Sequence, residues 1–315
     1  MDMQKVLVIC GPTATGKTNL ALKIAQQLNG ELISADSRQV YKGMDIITGK
    51  DLPTNIKPQT SNLRWRGKSL EYYVIFGIKV WLYDVVNPDE PFNVAFWREC
   101  AGLVIANILA RGKLPIVVGG TGLYIKSLLE NLANIDVPVN EELRKSLMST
   151  KELQVKLIKL DEQRYYSMNE SDRQNPRRLV RAIEITRNRF PSLKVREGLG
   201  VSYVVIGLTA PKEILFENID KRVLQRIENG ARLEYEAMHQ KYTDNLPSMS
   251  APGYADWDHW AVREQQYAKR QLVWFKKMPA VDWFDAPKTD FGAIIGACRR
   301  KLKSPTGPSS SPRSS

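Results

Sequence analysis

The sequence predicts an α/β fold of the P-loop NTPase type, in which helices flank a parallel sheet and a helical insertion interrupts it. Three observations predict this class. Residues 6–10 form a short apolar run that meets a glycine-containing segment, and apolar residues then recur at helical spacing as far as residue 28. Further apolar runs of strand length alternate with helical patterns, at residues 31–35, 80–86, 114–118 and 201–208. Residues 140–189 are almost wholly helical in pattern and heavily charged, which indicates an insertion between two strands.

The glycine-containing segment reads GPTATGKT over residues 11–18 and matches the phosphate-loop pattern G-x-x-x-x-G-K-[ST]. Its glycines allow backbone N–H groups to surround phosphate oxygens, and the helix that begins near Lys17 adds the positive end of its dipole. Lys17 is predicted to reach the terminal phosphate, and Thr18 to offer its hydroxyl to Mg²⁺. The flanking strand and helix favour this interpretation over a glycine turn that binds nothing. The predicted phosphate-binding residues are Gly11, Thr13, Ala14, Thr15, Gly16, Lys17 and Thr18.

The composition suits one large or two modest globular domains, because 43% of the 315 residues are hydrophobic and 25% are charged. No apolar run approaches the roughly 18 residues that a membrane span needs, so we expect a cytoplasmic protein. Three cysteines lie far apart and there are only two histidines, which excludes a disulfide framework or a metal site built from these residues. The net charge of +12 points to a polyanionic partner.

Polar residues follow the predicted strand 31–35, in the order Asp36-Ser37-Arg38-Gln39. Side chains at the carboxyl ends of parallel strands face the crevice where ligands bind, so Asp36 should face the phosphate loop. There it could take a proton from a nucleophile or hold Mg²⁺ through water. A turn or helix-capping aspartate is the alternative. Asp84, within the predicted strand 80–86, resembles the acid that follows an apolar strand in nucleotide hydrolases.

The remaining patterns extend the predicted core. Residues 93–111 are predicted to form a helix with Asn93 as its N-cap, and strand 114–118 leads into a glycine-rich turn, Gly119-Gly120-Thr121-Gly122. A helix from residue 211 towards residues 229–230 carries Arg222 and Arg226, four residues apart, and could place an arginine on bound phosphates. Residues 51–79 are interpreted as a loop or small excursion, residues 261–277 as the last helix, and residues 304–315 as disordered.

Two basic segments could contact a nucleic acid. Arg177, Arg178 and Arg181 recur at helical spacing with few neighbouring acids in sequence, which suits phosphate contact. Residues 267–277 interleave cations with aromatic side chains, a pattern that suits phosphate contact and base stacking, although Trp274 could equally pack in the core.

Seven segments occur together in the order found in the bacterial tRNA dimethylallyltransferase (tRNA isopentenyltransferase) family, which the chain resembles from about residue 6 to residue 284. No segment is specific alone, but the joint occurrence is. The segments are GPTATGKT (11–18), ADSRQVYKGMDI (35–46), DVVNPDEPFNVA (84–95), RGKLPIVVGGTGLY (111–124), NPRRLVRAIE (175–184), IDKRV (219–223) and YAKRQLVWF (267–275).

The resemblance implies transfer of a dimethylallyl group from dimethylallyl pyrophosphate to the exocyclic N6 amine of the adenosine just 3′ of a tRNA anticodon. It implies that the phosphate loop and Mg²⁺ bind the pyrophosphate, that Arg222 stabilises its charge, that Asp36 is the general base, and that Thr121 lies in the reaction channel. The partners would be the tRNA anticodon stem-loop and the prenyl donor, with no membrane, and we expect a monomer. The tRNA-contacting residues carried over are Asp36, Ser37, Arg38, Gln39, Thr121, Arg144, Arg177, Arg178, Arg181, Lys269, Arg270, Gln271 and Trp274.

The same reading divides the chain into four parts: residues 1–135 as the first part of the core, 136–198 as a helical insertion contacting tRNA, 199–303 as core completion with C-terminal helices, and 304–315 as a tail. Three positions depart from the family pattern, where Ile47 replaces the usual glycine, Ser250 a basic residue and Gln265 an arginine. Prenylation of free AMP, a small-molecule kinase activity and a non-catalytic RNA-binding module remain as alternatives.

Overall fold

The computed structural model describes residues 4–130, 132, 134–146, 148–188, 200–278 and 280–304. The residues divide into two compact units, one formed by Met1–Glu130 with Gly198–Ser315 and the other by Asn131–Glu197. Of the segment predicted to be disordered, residues 304–315, all but Ser304 lie outside the described residues. Within the described ranges, no helix combines the length and the apolar character needed to cross a bilayer.

Within the described residues, the larger unit is built on an eight-stranded sheet. The strands are β1 (Gln4–Cys10), β2 (Gly30–Ser34), β3 (Gln59–Trp65), β4 (Lys68–Ile75), β5 (Ile78–Trp81), β6 (Leu114–Gly119), β7 (Val201–Thr209) and β8 (Asp282–Asp285). Their order in the sheet is β3-β4-β5-β2-β6-β1-β7-β8. The neighbours in the run β5-β2-β6-β1-β7-β8 pair in parallel, whereas β3, β4 and β5 pair antiparallel. This arrangement confirms the predicted α/β class with a parallel sheet.

Helices cover both faces of the parallel strands, so β1 and β6 are buried on both sides and their sequences are continuous apolar runs. Asn93 caps the second helix, because its side chain accepts a hydrogen bond from the backbone N–H of Phe96 at 3.0 Å. The helices of this unit that precede the insertion are α1 (Lys17–Leu28), α2 (Val94–Ala110) and α3 (Gly122–Leu129).

The smaller unit contains helices joined by short turns and no strand among its described residues. Its helices are α4 (Glu141–Lys145), α5 (Thr150–Leu160), α6 (Glu162–Ser167), α7 (Glu170–Arg173) and α8 (Pro176–Arg187). Leu153 and Leu157 of α5 pack against Leu179 and Ile183 of α8 to form a small apolar core. The helices that follow in the larger unit are therefore α9 (Lys212–Arg226), α10 (Arg232–Lys241), α11 (Pro252–Ala255), α12 (Trp260–Phe275) and α13 (Phe291–Lys303).

Residues 51–79 are interpreted from the sequence as a loop or a small excursion, and the structure shows that they contain β3, β4 and the start of β5, which pair antiparallel. The β3–β4 connection is Arg66-Gly67 and the β4–β5 connection is Phe76-Gly77, and all four residues have positive φ. Two consecutive residues with positive φ match the type I′ turns that connect right-twisted strands. Because arginine and phenylalanine are unusual at the first turn position, the sequence lacks the Asn-Gly or Asp-Gly signal by which such turns are recognised.

Two further boundaries differ from the prediction, and a third agrees with it. Strand β5 ends at Trp81, so Asp84 lies in the turn after it, with φ 56°, and not within a strand. Helix α9 leads into a π-helical segment, Ile227–Ala231, in which Gly230 has a non-helical φ of 96°, so the helical path breaks at the predicted position and α10 follows across a kink. Helix α12 is not the last, since β8 and α13 follow, and Ile294 of α13 is buried against the sheet.

Glu31 on β2 is 1% exposed and lies among three donors. Its carboxylate accepts hydrogen bonds from Arg111 at 2.5 and 2.7 Å, from Lys113 at 3.1 Å and from Trp81 at 3.0 Å. Burial alone would raise the pKa of Glu31, but the hydrogen bonds from Arg111, Trp81 and Lys113 outweigh it and lower the pKa to about 2. This carboxylate therefore stabilises the fold fully above pH 4.5, its unfolded pKa, and the contribution is lost as the pH falls towards 2.

We expect Glu31→Gln to lower the free energy of unfolding at pH 7 by about 3 kcal/mol, the value of a shift of this size. Urea unfolding at pH 7 and pH 3 measures it, and the variant should lose less stability on acidification than the wild type. Glu236→Gln is the matched control, because Glu236 forms an exposed ion pair with Arg232 and should cost under about 1 kcal/mol. Equal losses in the two variants would contradict the prediction.

Candidate active site at the phosphate loop

The loop between β1 and α1 has the backbone geometry that its glycines allow. Gly11, Ala14 and Gly16 have φ values of 137°, 62° and 79°. A Cβ atom on Gly11 would lie 2.2 Å from the carbonyl oxygen of Leu208, so only glycine fits between the loop and β7. The buried Thr15 hydroxyl donates to the carbonyl of Pro12 at 2.9 Å and closes the loop on itself. The result is a backbone turn at the N-terminus of α1, where anions are stabilised.

Lys17 lies at the start of α1 and points back across this loop. Its Nζ donates to the carbonyl of Pro12 at 2.5 Å. Burial and the nearby positive charge of Arg222 lower the pKa of Lys17 to about 8, while the Asp36 carboxylate opposes that shift. Lys17 is therefore a cation near neutral pH that loses its charge in mildly alkaline solution.

Side chains from five regions of the larger unit converge on one cavity beside the loop. A second cavity, of about 310 Å³, shares Lys17, Thr18 and Arg222 with it. The lining of the first cavity includes Thr13, Lys17 and Thr18 of the loop, Asp36, Arg38 and Gln39 after β2, Gly119 and Gly120 after β6, Arg222 and Arg226 on α9, and Glu264, Tyr267 and Gln271 on α12.

Asp36 combines the two alternatives that the sequence left open. Its Oδ1 accepts a hydrogen bond from the backbone N–H of Arg38 at 2.8 Å, which is a turn contact. The same carboxylate lines the cavity with Lys17 and Thr18. The turn therefore fixes the carboxylate at the carboxyl end of β2, where it lines the cavity.

Thr121 lies beside the cavity rather than in its lining. Its hydroxyl accepts a hydrogen bond from the backbone N–H of Ser37 at 2.9 Å and donates to the hydroxyl of Ser37 at 3.3 Å. A hydrogen bond with Thr121 also reaches Tyr267, whose pKa is raised by burial, so that its phenol stays neutral. Thr121 thus connects the segment after β2 with α12.

Gln271, predicted as an RNA contact, has a different setting in the structure. Its Oε1 accepts from the backbone N–H of Thr13 at 2.9 Å, and its Nε2 donates to the carbonyl of Gly120 at 2.9 Å. A Cβ atom on Gly120 would lie 2.2 Å from that Nε2, so a side chain at this position would displace the amide. The buried amide therefore bridges two glycine-rich turns that are far apart in sequence, a role that no local pattern reveals.

The residues after Asp36 also have protein partners. Arg38 donates to the carbonyl of Pro247 at 2.5 Å and to the hydroxyl of Ser250 at 2.8 Å. Gln39 accepts from the hydroxyl of Ser34 at 2.8 Å and donates to the carbonyl of Gly49 at 2.8 Å. Arg38 therefore ties the segment to residues 247–250, and Gln39 ties it to the loop that contains Gly49.

Arg222, on α9, contacts both the phosphate loop and a carboxylate. It donates to the Thr13 hydroxyl at 3.4 Å and to Asp51 at 2.6 Å. Arg226 lies one turn further along α9 and lines the same cavity. Sequence analysis assigns Arg222 alone to the site, although the i, i+4 spacing places Arg226 on the same face of the helix.

On α12, Lys269 and Arg270 are exposed, whereas Trp274 is half-buried. Lys269 and Arg270 lie over the rings of Phe216 and Tyr267, at 5.1 and 5.8 Å from the centroids. The Trp274 ring occupies the space in which a Cβ atom of Gly122 would stand. Trp274 therefore packs against the start of α3 and stays partly exposed.

The arginines of the smaller unit have more acidic neighbours than the sequence suggested. Arg144 donates to the buried Glu184 at 2.8 and 3.1 Å, and Arg181 donates to the same carboxylate at 2.9 Å. Arg178 forms an ion pair with Asp172. Arg177 is exposed. The expectation of few nearby acids is wrong, because Glu184 lies on the same face of α8 and Asp172 is brought close by the turn before it.

Comparison with known proteins identifies the family to which the chain belongs. The model of a family described as "IPP transferase" matches residues 39–278, and that of "Isopentenyl transferase" matches residues 4–64. The chain belongs to the IPP transferase family. It is 36% identical to a tRNA dimethylallyltransferase of Acetivibrio thermocellus, over 91% of this chain and 94% of the relative, and 32% identical to one of Bacillus subtilis, over 90% and 91%.

Solved structures agree with the assignment to the IPP transferase family. The tRNA isopentenylpyrophosphate transferase of Bacillus halodurans superposes with a TM-score of 0.66 at 30% identity, covering 95% of this chain and 97% of that one. A eukaryotic dimethylallyltransferase acting on tRNA superposes with a TM-score of 0.71 at 25% identity, covering 95% and 78%. The predicted family and the P-loop NTPase-like fold are confirmed.

The three departures from the family pattern have partners of their own in the larger unit. Ile47 is buried and packs against Gly253, where a Cβ atom would lie 2.7 Å from the Ile47 side chain. Ser250 accepts the hydrogen bond from Arg38, and Gln265 donates to Asp220 at 2.8 Å. Each of the three departures therefore has a contact within the larger unit.

Proposed function

We propose that this IPP transferase moves a dimethylallyl group from dimethylallyl pyrophosphate to the N6 amine of the adenosine 3′-adjacent to the anticodon in tRNA. Family membership and relatives named tRNA dimethylallyltransferase support the reaction. The observation that carries the mechanism is the convergence of Lys17, Arg222 and Asp36 on one cavity at the phosphate loop. Cations for a diphosphate and a carboxylate for an amine proton lie there together.

The donor half of the site neutralises the leaving group. As the allylic C–O bond breaks, inorganic pyrophosphate leaves with the bonding electrons. Lys17, Arg222 and the N–H groups of the loop would stabilise the negative charge that develops on it. Mg²⁺ usually binds through substrate phosphates and one or two protein oxygens, and the Thr18 hydroxyl, which lines both cavities, fits that role. Bound there, the ion would neutralise part of the diphosphate charge.

The acceptor half of the site handles one proton. The N6 nitrogen forms a bond to the allylic carbon and must lose a proton, which we assign to the Asp36 carboxylate. Thr121, held by Ser37 and Tyr267, would border the path of the adenine. The adenine must leave its stack in the anticodon loop to reach this point, at a cost of a few kcal/mol.

Contacts with the RNA backbone would offset that cost. The net charge of +12 supplies the attraction. Exposed Arg177, Lys269 and Arg270 are the strongest candidates for phosphate contact, since Arg144 and Arg181 are already paired with Glu184. We further propose that residues 136–198 form an arm that contacts tRNA, that a monomer is sufficient because one chain supplies the whole cavity, and that the enzyme works in the cytoplasm, where its tRNA substrate is used.

Nucleoside analysis tests the proposal. Unmodified tRNA incubated with the protein, dimethylallyl pyrophosphate and Mg²⁺ should yield N6-dimethylallyladenosine at the position 3′ of the anticodon and one pyrophosphate per modified base. A tRNA with guanosine at that position is the matched control. Prenylation of AMP but not of tRNA would replace the proposal with the free-nucleotide alternative, and ATP-dependent phosphorylation without prenylation would replace it with the kinase alternative.

A further inference from the structure

Arg226 carries a buried guanidinium whose donors are poorly used. The residue is 7% exposed and lines the cavity beside the phosphate loop. Its Nη1 donates to the carbonyl of Ile47 at 3.3 Å, whereas its Nε is buried without a hydrogen-bond partner among the described residues. Buried donors that lack partners are costly, so an arrangement of this kind calls for an acceptor that enters the cavity.

The carboxylates near Arg226 neutralise it only partly. Glu264 and Asp51 lie 3.9 and 3.8 Å from its terminal nitrogens, which is beyond hydrogen-bond distance. Burial raises the pKa of Glu264, which weakens that residue as a counter-ion. Burial and the neighbouring Arg222 lower the pKa of Arg226 to about 10, so it remains a cation at neutral pH.

Arg222 and Arg226 meet at one glycine. A Cβ atom on Gly49 would lie 1.6 Å from Nη2 of Arg226 and 2.8 Å from Nη2 of Arg222. Gly49 has φ 68° and Asp51 has φ 50°, so the loop bends sharply around the two guanidinium groups. Asp51 is half exposed and directs its carboxylate at both, at 2.6 Å from Arg222 and 3.8 Å from Arg226.

Two adjacent guanidinium groups that share one solvent-facing carboxylate form a site suited to a phosphate group, because planar N–H donors match its oxygens. We propose that Arg226 binds the diphosphate of the prenyl donor together with Arg222, and that Asp51 is the intramolecular anion with which the diphosphate competes. This inference rests on the proposed function for the identity of the ligand. It assigns the second arginine of α9, which is buried, as a donor-binding residue.

Calorimetric titration with inorganic pyrophosphate and Mg²⁺ tests it, because binding of this probe needs neither tRNA nor prenyl transfer. Arg226→Met should weaken pyrophosphate binding at least tenfold and raise the KM for dimethylallyl pyrophosphate similarly, with tRNA affinity unchanged. Asp51→Asn should strengthen pyrophosphate binding about threefold or more, since it removes the competing charge. Arg232→Met is the matched control, because Arg232 is exposed, pairs with Glu236 and should leave pyrophosphate binding unchanged.

Arg226→Lys keeps the charge without the planar fork and should bind pyrophosphate with intermediate affinity, which maintains the test if the methionine variant fails to fold. Pyrophosphate affinity within twofold of wild type in a folded Arg226 variant would overturn the proposal. Weaker binding in Asp51→Asn would also overturn it, because that result makes Asp51 a structural support for the arginines. Failure of prenyl transfer to tRNA would count against the proposed function and leave the pyrophosphate titrations interpretable.

Discussion

Replacing Asp36 with asparagine is expected to lower kcat for tRNA prenylation by a factor of about 10² to 10⁴, the usual contribution of a general base. The adenine amine is a weak nucleophile that must lose a proton as it attacks, and asparagine cannot accept that proton. The substitution keeps an oxygen acceptor for the backbone N–H of Arg38, so the turn after β2 should survive. Single-turnover kinetics with saturating donor and tRNA measures the chemical step.

Asp36→Ala provides the comparison, because it removes both the base and the turn acceptor. If the carboxylate acts in proton transfer, the two variants should lose kcat to a similar extent while both bind tRNA and pyrophosphate within about threefold of wild type. A carboxylate that serves only the turn predicts the reverse, with an active asparagine variant and an inactive alanine variant. Near-normal kcat in Asp36→Asn would therefore remove Asp36 from the mechanism.

The parts of this site that sequence reveals are those encoded by adjacent residues. The phosphate loop joins β1 to α1 within residues 11–18, so one strand, one turn and one helix can be recognised locally. Asp36 follows because parallel strands end at a common edge, which places residues after β2 near that loop. Both inferences need only the period of the elements and the direction of the strands.

The parts that sequence analysis missed depend on contacts between distant segments. Gln271 bridges the backbones of Thr13 and Gly120, and neither its own helix nor the glycine-rich turns indicate the pairing. The spacing of Arg226 from Arg222 indicates a shared helix face, but the close approach of Gly49 to the Arg226 guanidinium is visible only in the structure. A glycine can mark a close approach, but the partner is chosen by tertiary packing.

Charge was misjudged for a related reason. Arg144 and Arg181 lie 37 positions apart and converge on Glu184, although the sequence around α8 shows arginines in excess. Burial alone would raise the pKa of Glu184, but hydrogen bonds from Arg144, the backbone N–H of Asn140 and Arg181 outweigh it and lower the pKa. A count of basic residues along a helix therefore overstates the charge that is free to meet RNA phosphates.

The pH dependence of donor use should report the ionisation of Lys17. Burial and Arg222 lower the pKa of Lys17 to about 8, and only the protonated amine can neutralise a phosphate. Because Lys17 is charged below its pKa and neutral above it, kcat/KM for dimethylallyl pyrophosphate should fall about tenfold from pH 7 to pH 9. The last ionisation of a phosphate ester has a pKa of about 6, below the range from pH 7 to pH 9, so ionisation of the ligand does not produce the decline.

Lys17→Met separates this ionisation from others in the cavity. The variant should lose about 10² to 10³ in kcat/KM at pH 7, because one cation facing the leaving group is gone, and its profile between pH 7 and pH 9 should be flat. Arg226, with a pKa of about 10, stays charged over most of this range, and burial keeps the Tyr267 phenol protonated. A persistent alkaline decline in Lys17→Met would assign the titration to another group. A flat wild-type profile would mean that Lys17 keeps its proton throughout, which requires a stronger counter-charge at the loop than Asp36 supplies.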